Sequence, residues 1–130
     1  MIHVMDSSAL LALTRAEPGF ELVQELIYTE ECAISSVNLA EVGTKLIEYG
    51  LPPDEFPRIV RQLQIDVIDF NAEQAILCGQ LRPLTRAAGL SLGDRACLAL
   101  TKLMEGIAVT TDQAWQDVRI SAGVKVLMVR

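Results

Sequence analysis

Short apolar runs rich in β-branched residues alternate with longer amphipathic runs, and this alternation constrains the fold more than any other feature of the sequence. The pattern is typical of repeated β-α units around a mainly parallel sheet. Because most of the short runs are apolar throughout, we expect helices to cover both faces of the sheet. The predicted strands are Ile2 to Met5, Cys32 to Ile34, Val67 to Asp69, Ile107 to Thr110 and Lys125 to Val129.

Capping residues and prolines predict the helices between these strands. Ser7 should cap Ser8 to Ala16, Pro18 should lie in the first turn of a second helix, and Ser36 should cap a helix ending near Gly50. The remaining predicted segments are one from Pro52 to about Gln64, a helix capped by Asn71 and kinked or ended by Pro83, a turn over Leu84 to Ala88, a helix from Ser91 through Met104, a short helix over about Gln113 to Ile120, and a turn at Gly123.

The size and charge of the chain limit what it can be. Its 130 residues, 51% hydrophobic and 22% charged, predict one globular domain over residues 1–130. The formal net charge of -6 repels polyanions. Any contact with nucleic acid should therefore be local or assisted by a metal.

The cysteines and the first apolar stretch predict the compartment. Cys32, Cys78 and Cys97 are an odd number, widely spaced, and accompanied by a single histidine, His3. This excludes a disulfide framework and a zinc site of the usual kind, so we expect buried free thiols in a reducing cytoplasm. The first apolar stretch is interrupted by Asp6 and is too short to span a bilayer. We therefore expect a soluble cytoplasmic protein without membrane contact.

Two acidic residues come directly after predicted strands. Asp6 follows Ile-His-Val-Met, and Asp112 follows Ile-Ala-Val-Thr-Thr. Open α/β sheets bind ligands at the carboxyl ends of their strands. Each acid alone could equally be a helix-start residue favoured by the helix dipole. The presence of both in one fold favours a shared site.

Asp94 and Glu41 are two further candidates. Asp94 is near the third position of the helix capped by Ser91, beside Gly93, where a ligand or a backbone could approach. Glu41 lies opposite the apolar stripe of its helix and one turn before Lys45, which predicts a solvent-facing side chain. If all four acids come together, their oxygen ligands suit Mg²⁺ or Mn²⁺ rather than zinc or copper, and such an ion would act on phosphates.

Four sequence blocks carry a resemblance to a known family. They are VMDSSALL at 4–11, SVNLAEV at 36–42, GLSLGDRACLAL at 89–100 and VTTDQAW at 109–115. In this order they resemble a PIN domain of the VapC toxin type, over essentially the whole chain. The third block is the most specific of the four.

The resemblance implies a metal-dependent endoribonuclease built as an α/β/α sandwich with a central, mainly parallel five-stranded sheet. By position it implies Asp6, Glu41, Asp94 and Asp112 as catalytic, metal-binding acids, and the hydroxyls of Ser8 and Thr110 as holders of metal-site water or carboxylates. It also implies a homodimer and a small antitoxin whose tail fills the acidic groove.

The corresponding mechanism has one or two Mg²⁺ or Mn²⁺ ions, a metal-activated water that attacks an RNA phosphodiester, and no protein nucleophile. Substrate contacts could come from Arg82, Arg86 and Arg95, although ordinary solvated basic residues are an equal alternative. Candidates for stacking on a base are Tyr28, Tyr49 and Trp115, with Trp115 more typical of a core anchor.

Two other functions compete with the nuclease. A haloacid-dehalogenase-like phosphatase also places a strand-end aspartate over Mg²⁺, but it needs a second aspartate two positions on, where this sequence has Ser8. A catalytically idle binding module is the stronger rival, because acids in a sequence do not guarantee a metal site. Separately, the apolar residues of the segment from Pro52 to Gln64 could line a dimer or antitoxin groove, or simply face the core.

Overall fold

A five-stranded parallel sheet forms the centre of the computed structural model, which describes residues 1–117 and 122–130. The strands are β1 His3–Met5, β2 Cys32–Ser35, β3 Asp66–Ile68, β4 Ile107–Thr110 and β5 Lys125–Met128. They are ordered β3-β2-β1-β4-β5, and every pairing is parallel. In the register, His3 lies opposite Cys32 on one side and Ile107 on the other. The strand β1 therefore lies at the centre of the sheet.

Helices cover both faces of this sheet. They are α1 Ser7–Thr14, α2 Phe20–Thr29, α3 Ser36–Glu48, α4 Phe56–Gln62, α5 Ala72–Gln80, α6 Arg82–Thr85 and α7 Leu92–Leu103, with 3₁₀ turns at Pro53–Glu55 and Gln113–Gln116. Successive strand residues point to opposite faces. Val4 and Ala108 belong to a core with residues of α5 and α7, whereas Met5 and Val109 belong to a core with residues of α1, α2 and α3. The predicted three-layer α/β/α sandwich is confirmed.

Most predicted strands agree with the structure within a residue, and the three cysteines are buried and free as expected. In the described part of the chain, no helix is both long and apolar enough to cross a membrane. The apolar residues Phe56, Ile59 and Leu63 pack, partly buried, against the core shared by α1, α2 and α3. This packing favours the core-facing alternative for the segment from Pro52 to Gln64.

Three predicted helix starts are wrong by one or two residues. Asp6, not Ser7, caps α1, because its extended backbone directs its side chain to the Ala9 N–H. Ser35 caps α3, whereas the Ser36 hydroxyl accepts a hydrogen bond from the Phe70 N–H instead. Helix α2 begins at Phe20 and not at Pro18, because the chain first turns through Gly19.

Gly19 has a positive φ of 95° and lies so close to the Val129 carbonyl that a Cβ would be 2.2 Å from its oxygen. A glycine is therefore required at this turn.

Other predicted boundaries are confirmed. Asn71 caps α5 through the Gln74 N–H, and Ser91 caps α7. Helix α5 ends before Pro83, which lies in the first turn of α6. The short helix predicted over Gln113 to Ile120 is a 3₁₀ turn to Gln116, and its remaining part reaches beyond the described residues.

Candidate functional site

The carboxyl ends of β1 and β4 lie side by side, and each is followed by an aspartate. The Asp6 N–H donates to the Val109 carbonyl at 3.0 Å, which continues the pairing of the two strands to their ends. Asp112 follows β4 by two residues. The two strand-end acids therefore lie at the same edge of the sheet, as the sequence predicts.

Asp6 is almost fully buried, with 2% of its surface exposed. Its Oδ1 accepts hydrogen bonds from the Ser8 hydroxyl at 2.7 Å and from the Ala9 N–H at 2.8 Å, and its Oδ2 accepts one from the Thr110 hydroxyl. Burial raises the pKa of Asp6 from 3.8 to about 6. The hydrogen bonds act to lower this pKa, and the nearby negative charge of Asp94 acts to raise it. Asp6 is thus a carboxylate in a rigid setting that disfavours its negative charge.

Ser8 and Thr110 connect Asp6 to the loop that carries Asp112. The Asp112 N–H donates to Thr110 Oγ1 and the Thr111 N–H donates to Ser8 Oγ, each at 3.0 Å. Both hydroxyls then donate to Asp6. The two residues that the resemblance singles out therefore orient the carboxylate of Asp6 and the backbone of the loop together.

Asp94 and Asp112 also have the helix-start contacts that were the alternative to a functional role. Asp112 accepts a hydrogen bond from the Ala114 N–H, and Asp94 forms a reciprocal capping box with Ser91. Burial raises the pKa of Asp94, and the negative charges of Asp112 and Glu41 raise it further, against the Ser91 hydrogen bonds. A capping role thus coexists with electrostatic coupling among the acids.

Glu41 is partly buried, whereas its helical wheel predicts a side chain that faces solvent. Its Oε1 accepts a hydrogen bond from the Ser7 hydroxyl and one from the Asn38 amide at 3.1 Å. Its expected partner Lys45 pairs with Glu48 at 3.6 Å instead. The helical-wheel prediction is wrong because α3 packs against α1 and α7 as well as against the sheet. A second face of the helix is therefore covered.

Gly93 leaves the space that the Glu41 carboxylate fills. A Cβ at this position would be 2.3 Å from Glu41 Oε1. Glu41 therefore lies against the first turn of α7, beside Asp94. We call the four acids Asp6, Glu41, Asp94 and Asp112 the acidic edge, because they reach this end of the sheet from four separate segments and influence one another electrostatically.

Sequence reasoning did not connect Ser7, Asn38 and Gly93 with Glu41, although all three contact it. The only available signal was the spacing of Asn38, three residues before Glu41 on one helix. The contacts of Ser7 and Gly93 depend on how α1 and α7 pack beside α3. The hydrophobic periodicity of α3 does not indicate such contacts between helices.

Among the described residues, the three candidate arginines form no hydrogen bond or ion pair with the acidic edge. Arg82 donates to the Leu90 carbonyl at 3.3 Å, and Arg95 donates to the Cys78 carbonyl at 3.1 Å. Arg86 is exposed. Arg82 and Arg95 therefore hold neighbouring backbone carbonyls. Arg82 is also exposed, but among the described residues only Arg86 of the three makes no such contact.

The three aromatic candidates differ in how exposed their rings are. Trp115 is fully buried and anchors the core, whereas Tyr28 is 90% exposed. The Arg15 guanidinium lies over the Tyr49 ring, 3.7 Å from its centre. Tyr28 is therefore the most exposed of the three rings, and Tyr49, 58% exposed, has one face covered by Arg15.

The donor chemistry of the acidic edge fits a hard divalent cation. Carboxylates and hydroxyls are oxygen ligands, and burial together with mutual repulsion favours a positive counter-charge here. Within residues 1–117 and 122–130, however, no three His, Cys, Asp or Glu side chains are arranged so that they could hold one ion. The metal-binding role of the four acids therefore stays a prediction.

Comparisons with known proteins identify a family and a set of similar folds. The family model described as PIN domain matches residues 4–120. No curated protein sequence matches the chain. Solved structures, in contrast, match it over nearly its full length.

Three examples illustrate the likeness, each with a TM-score above 0.7 and a sequence identity below 20%. A chain of VapBC2 from Rickettsia felis, bound to a promoter DNA fragment, is 16% identical with a TM-score of 0.75, covering 98% of both chains. DNA-bound VapBC from Salmonella typhimurium is 17% identical with a TM-score of 0.75, covering 100% of this chain and 99% of that one. The sarcin-ricin loop cleaving toxin VapC20 of Mycobacterium tuberculosis is 17% identical with a TM-score of 0.73, covering 89% and 93%. At these identities the likeness shows the fold.

Proposed function

Because this chain belongs to the PIN domain family, we propose that it is a metal-dependent endoribonuclease and the toxin of a toxin-antitoxin pair. The observation that carries the proposal is the acidic edge, four carboxylates from four separate segments that lie near the carboxyl end of a parallel sheet and act on one another electrostatically. The structures named above support the RNA substrate, because one of them is described as a toxin that cleaves the sarcin-ricin loop.

In this proposal Asp6, Glu41, Asp94 and Asp112 hold Mg²⁺ or Mn²⁺. When bound, such an ion supplies a counter-charge for the phosphodiester and lowers the pKa of a water molecule. Hard oxygen ligands without histidine or cysteine favour these two ions over zinc.

The chain's own residues supply orientation. Ser8 and Thr110 keep both oxygens of Asp6 in fixed directions, because each hydroxyl is itself held by a backbone N–H of the loop after β4. Such preorganisation avoids the cost of turning a carboxylate during the reaction. Of the arginines, Arg86 is best suited to contact an RNA phosphate, while Arg82 and Arg95 hold backbone carbonyls.

The proposed partners are a small antitoxin protein and a second copy of the chain. The antitoxin is supported by the VapBC descriptions of the similar structures, two of which contain DNA. We further propose that the protein acts in the cytoplasm, which is consistent with three buried free cysteines.

RNA cleavage by the purified protein tests the nuclease proposal. We expect structured RNA to be cleaved with Mg²⁺ or Mn²⁺ and cleavage to stop on chelation. Asp6→Asn and Asp94→Asn should each lower the rate at least about a hundredfold, on the order of 3 kcal/mol in the barrier. The matched control is Asp66→Asn, because Asp66 is an exposed aspartate on the edge strand β3.

Two results would count against the nuclease. Cleavage that resists chelation would contradict the role of the metal. Absence of cleavage by a folded protein that also fails to bind divalent ions would favour the catalytically idle binding module.

A further inference from the structure

Asn38 is a buried polar residue at the junction of three helices. It lies on α3 and is 1% exposed. Its Nδ2 is 3.1 Å from Glu41 Oε1, 3.2 Å from Ser7 Oγ and 3.0 Å from the Gly93 carbonyl oxygen. One amide group therefore ties Glu41 to the first residue of α1 and to the first turn of α7.

The position of Glu41 depends on this amide. A glutamate on a helix surface has several rotatable bonds and normally extends into solvent. Here its carboxylate is turned toward α7 by two donors, the Ser7 hydroxyl and the Asn38 amide. The Asn38 amide also contacts the Ser7 hydroxyl, so loss of Asn38 would loosen both donors.

The two ends of the Asn38 amide differ in their hydrogen bonding. Among the described residues, Asn38 Oδ1 is buried without a hydrogen-bond partner. Such an unpaired group costs about 1–3 kcal/mol, whereas a leucine of similar size would have no such cost. The Nδ2 contacts are thus the feature that distinguishes asparagine from an apolar residue here.

We propose that Asn38 is a positioning residue that holds the Glu41 carboxylate against the first turn of α7, beside Asp94, and so sets the affinity of the acidic edge for a divalent cation. The inference rests on the proposed metal-dependent function. Asn38 acts through Glu41 and has no contact with the cation itself. Partners that orient metal ligands in this way typically change metal affinity by about 10–100-fold.

Titration calorimetry with MnCl₂ on the purified protein measures this affinity without reference to activity. Asn38→Leu keeps the approximate size of the side chain and removes the donor, so the Kd for Mn²⁺ should rise at least about tenfold. Asn38→Ala serves as a second variant. The control is Asn71→Ala, because the chain's other asparagine caps α5. This variant should lower the melting temperature and leave the Kd for Mn²⁺ unchanged.

A double-mutant cycle with Glu41→Gln identifies the route of the effect. If Asn38 acts through Glu41, Asn38→Leu should change the Kd less than about twofold in the Glu41→Gln background. An unchanged Kd in both Asn38 variants, or the same increase in both backgrounds, would overturn the positioning role while Mn²⁺ binding by the wild type leaves the proposed function intact. Absence of Mn²⁺ binding by the folded wild type would overturn both.

Discussion

Replacing Asp6 by asparagine should change how the stability of the metal-free protein depends on pH. Burial raises the pKa of Asp6 from 3.8 to about 6 in the folded state. The folded protein therefore binds the Asp6 proton more tightly than the unfolded chain does. This contribution to the free energy of unfolding is fully present below pH 4 and is lost as the pH rises through 6.

The size of the effect follows from the pKa difference. A shift of about two pH units corresponds to about 3 kcal/mol, most of which should be lost between pH 4 and pH 7. The substituted asparagine would keep the oxygen that caps the Ala9 N–H but could not ionise. At pH 7 with chelator, the Asp6→Asn variant should therefore be up to about 3 kcal/mol more stable than the wild type, or about 10 °C in melting temperature.

Urea unfolding at several pH values between 4 and 7.5, with chelator throughout, measures this difference. Subtracting the two proteins removes the titration of all groups that do not interact with Asp6. The control is Asp66→Asn, which changes an exposed aspartate and should follow the wild type at every pH. If the difference between Asp6→Asn and the wild type is constant across this range, the buried carboxylate does not carry the proposed penalty.

Two further substitutions test the contacts around the acids. Gly93→Ala places a Cβ where the Glu41 carboxylate lies and should reduce RNA cleavage at least about tenfold, while the helix preference of alanine, about 1 kcal/mol, limits the loss of stability. Normal cleavage by this variant would refute the placement of Glu41. Thr110→Val removes a hydrogen bond to Asp6 and should raise its folded pKa, so the loss of stability should extend to a higher pH in the same urea series. An unshifted pH range would contradict this.

The strand-end acids were predictable because their signal is local. Asp6 and Asp112 each follow an apolar run and precede a helix start, and parallel pairing of β1 with β4 brings them to one edge. The wrong caps also have a local cause. At the start of α1 the candidates are Asp6 and Ser7, and at the start of α3 they are Ser35 and Ser36. In each pair, either side chain can accept the capping hydrogen bond from a backbone N–H of the first turn. Only the backbone conformation of each pair decides between them.

Glu41 was predictable only through the family resemblance. Its own helix gives a periodicity that indicates solvent, because periodicity describes one helix facing one core. Two of its contacts come from other helices: Ser7 lies on α1, 34 residues before Glu41 in the chain, and Gly93 lies on α7. Such contacts depend on tertiary packing and override the local pattern.

Because β1 pairs with β4, the acidic edge can form only after β4 has been synthesised. The Thr110 hydroxyl that bonds to Asp6 lies 104 residues further along the chain. At about 5–20 residues per second, that interval lasts roughly 5–20 s on the ribosome. Until β4 has been made, one side of β1 has no partner, and such an open edge invites pairing with other chains. The four acids therefore come near one another only after β4 and the loop that follows it have been made.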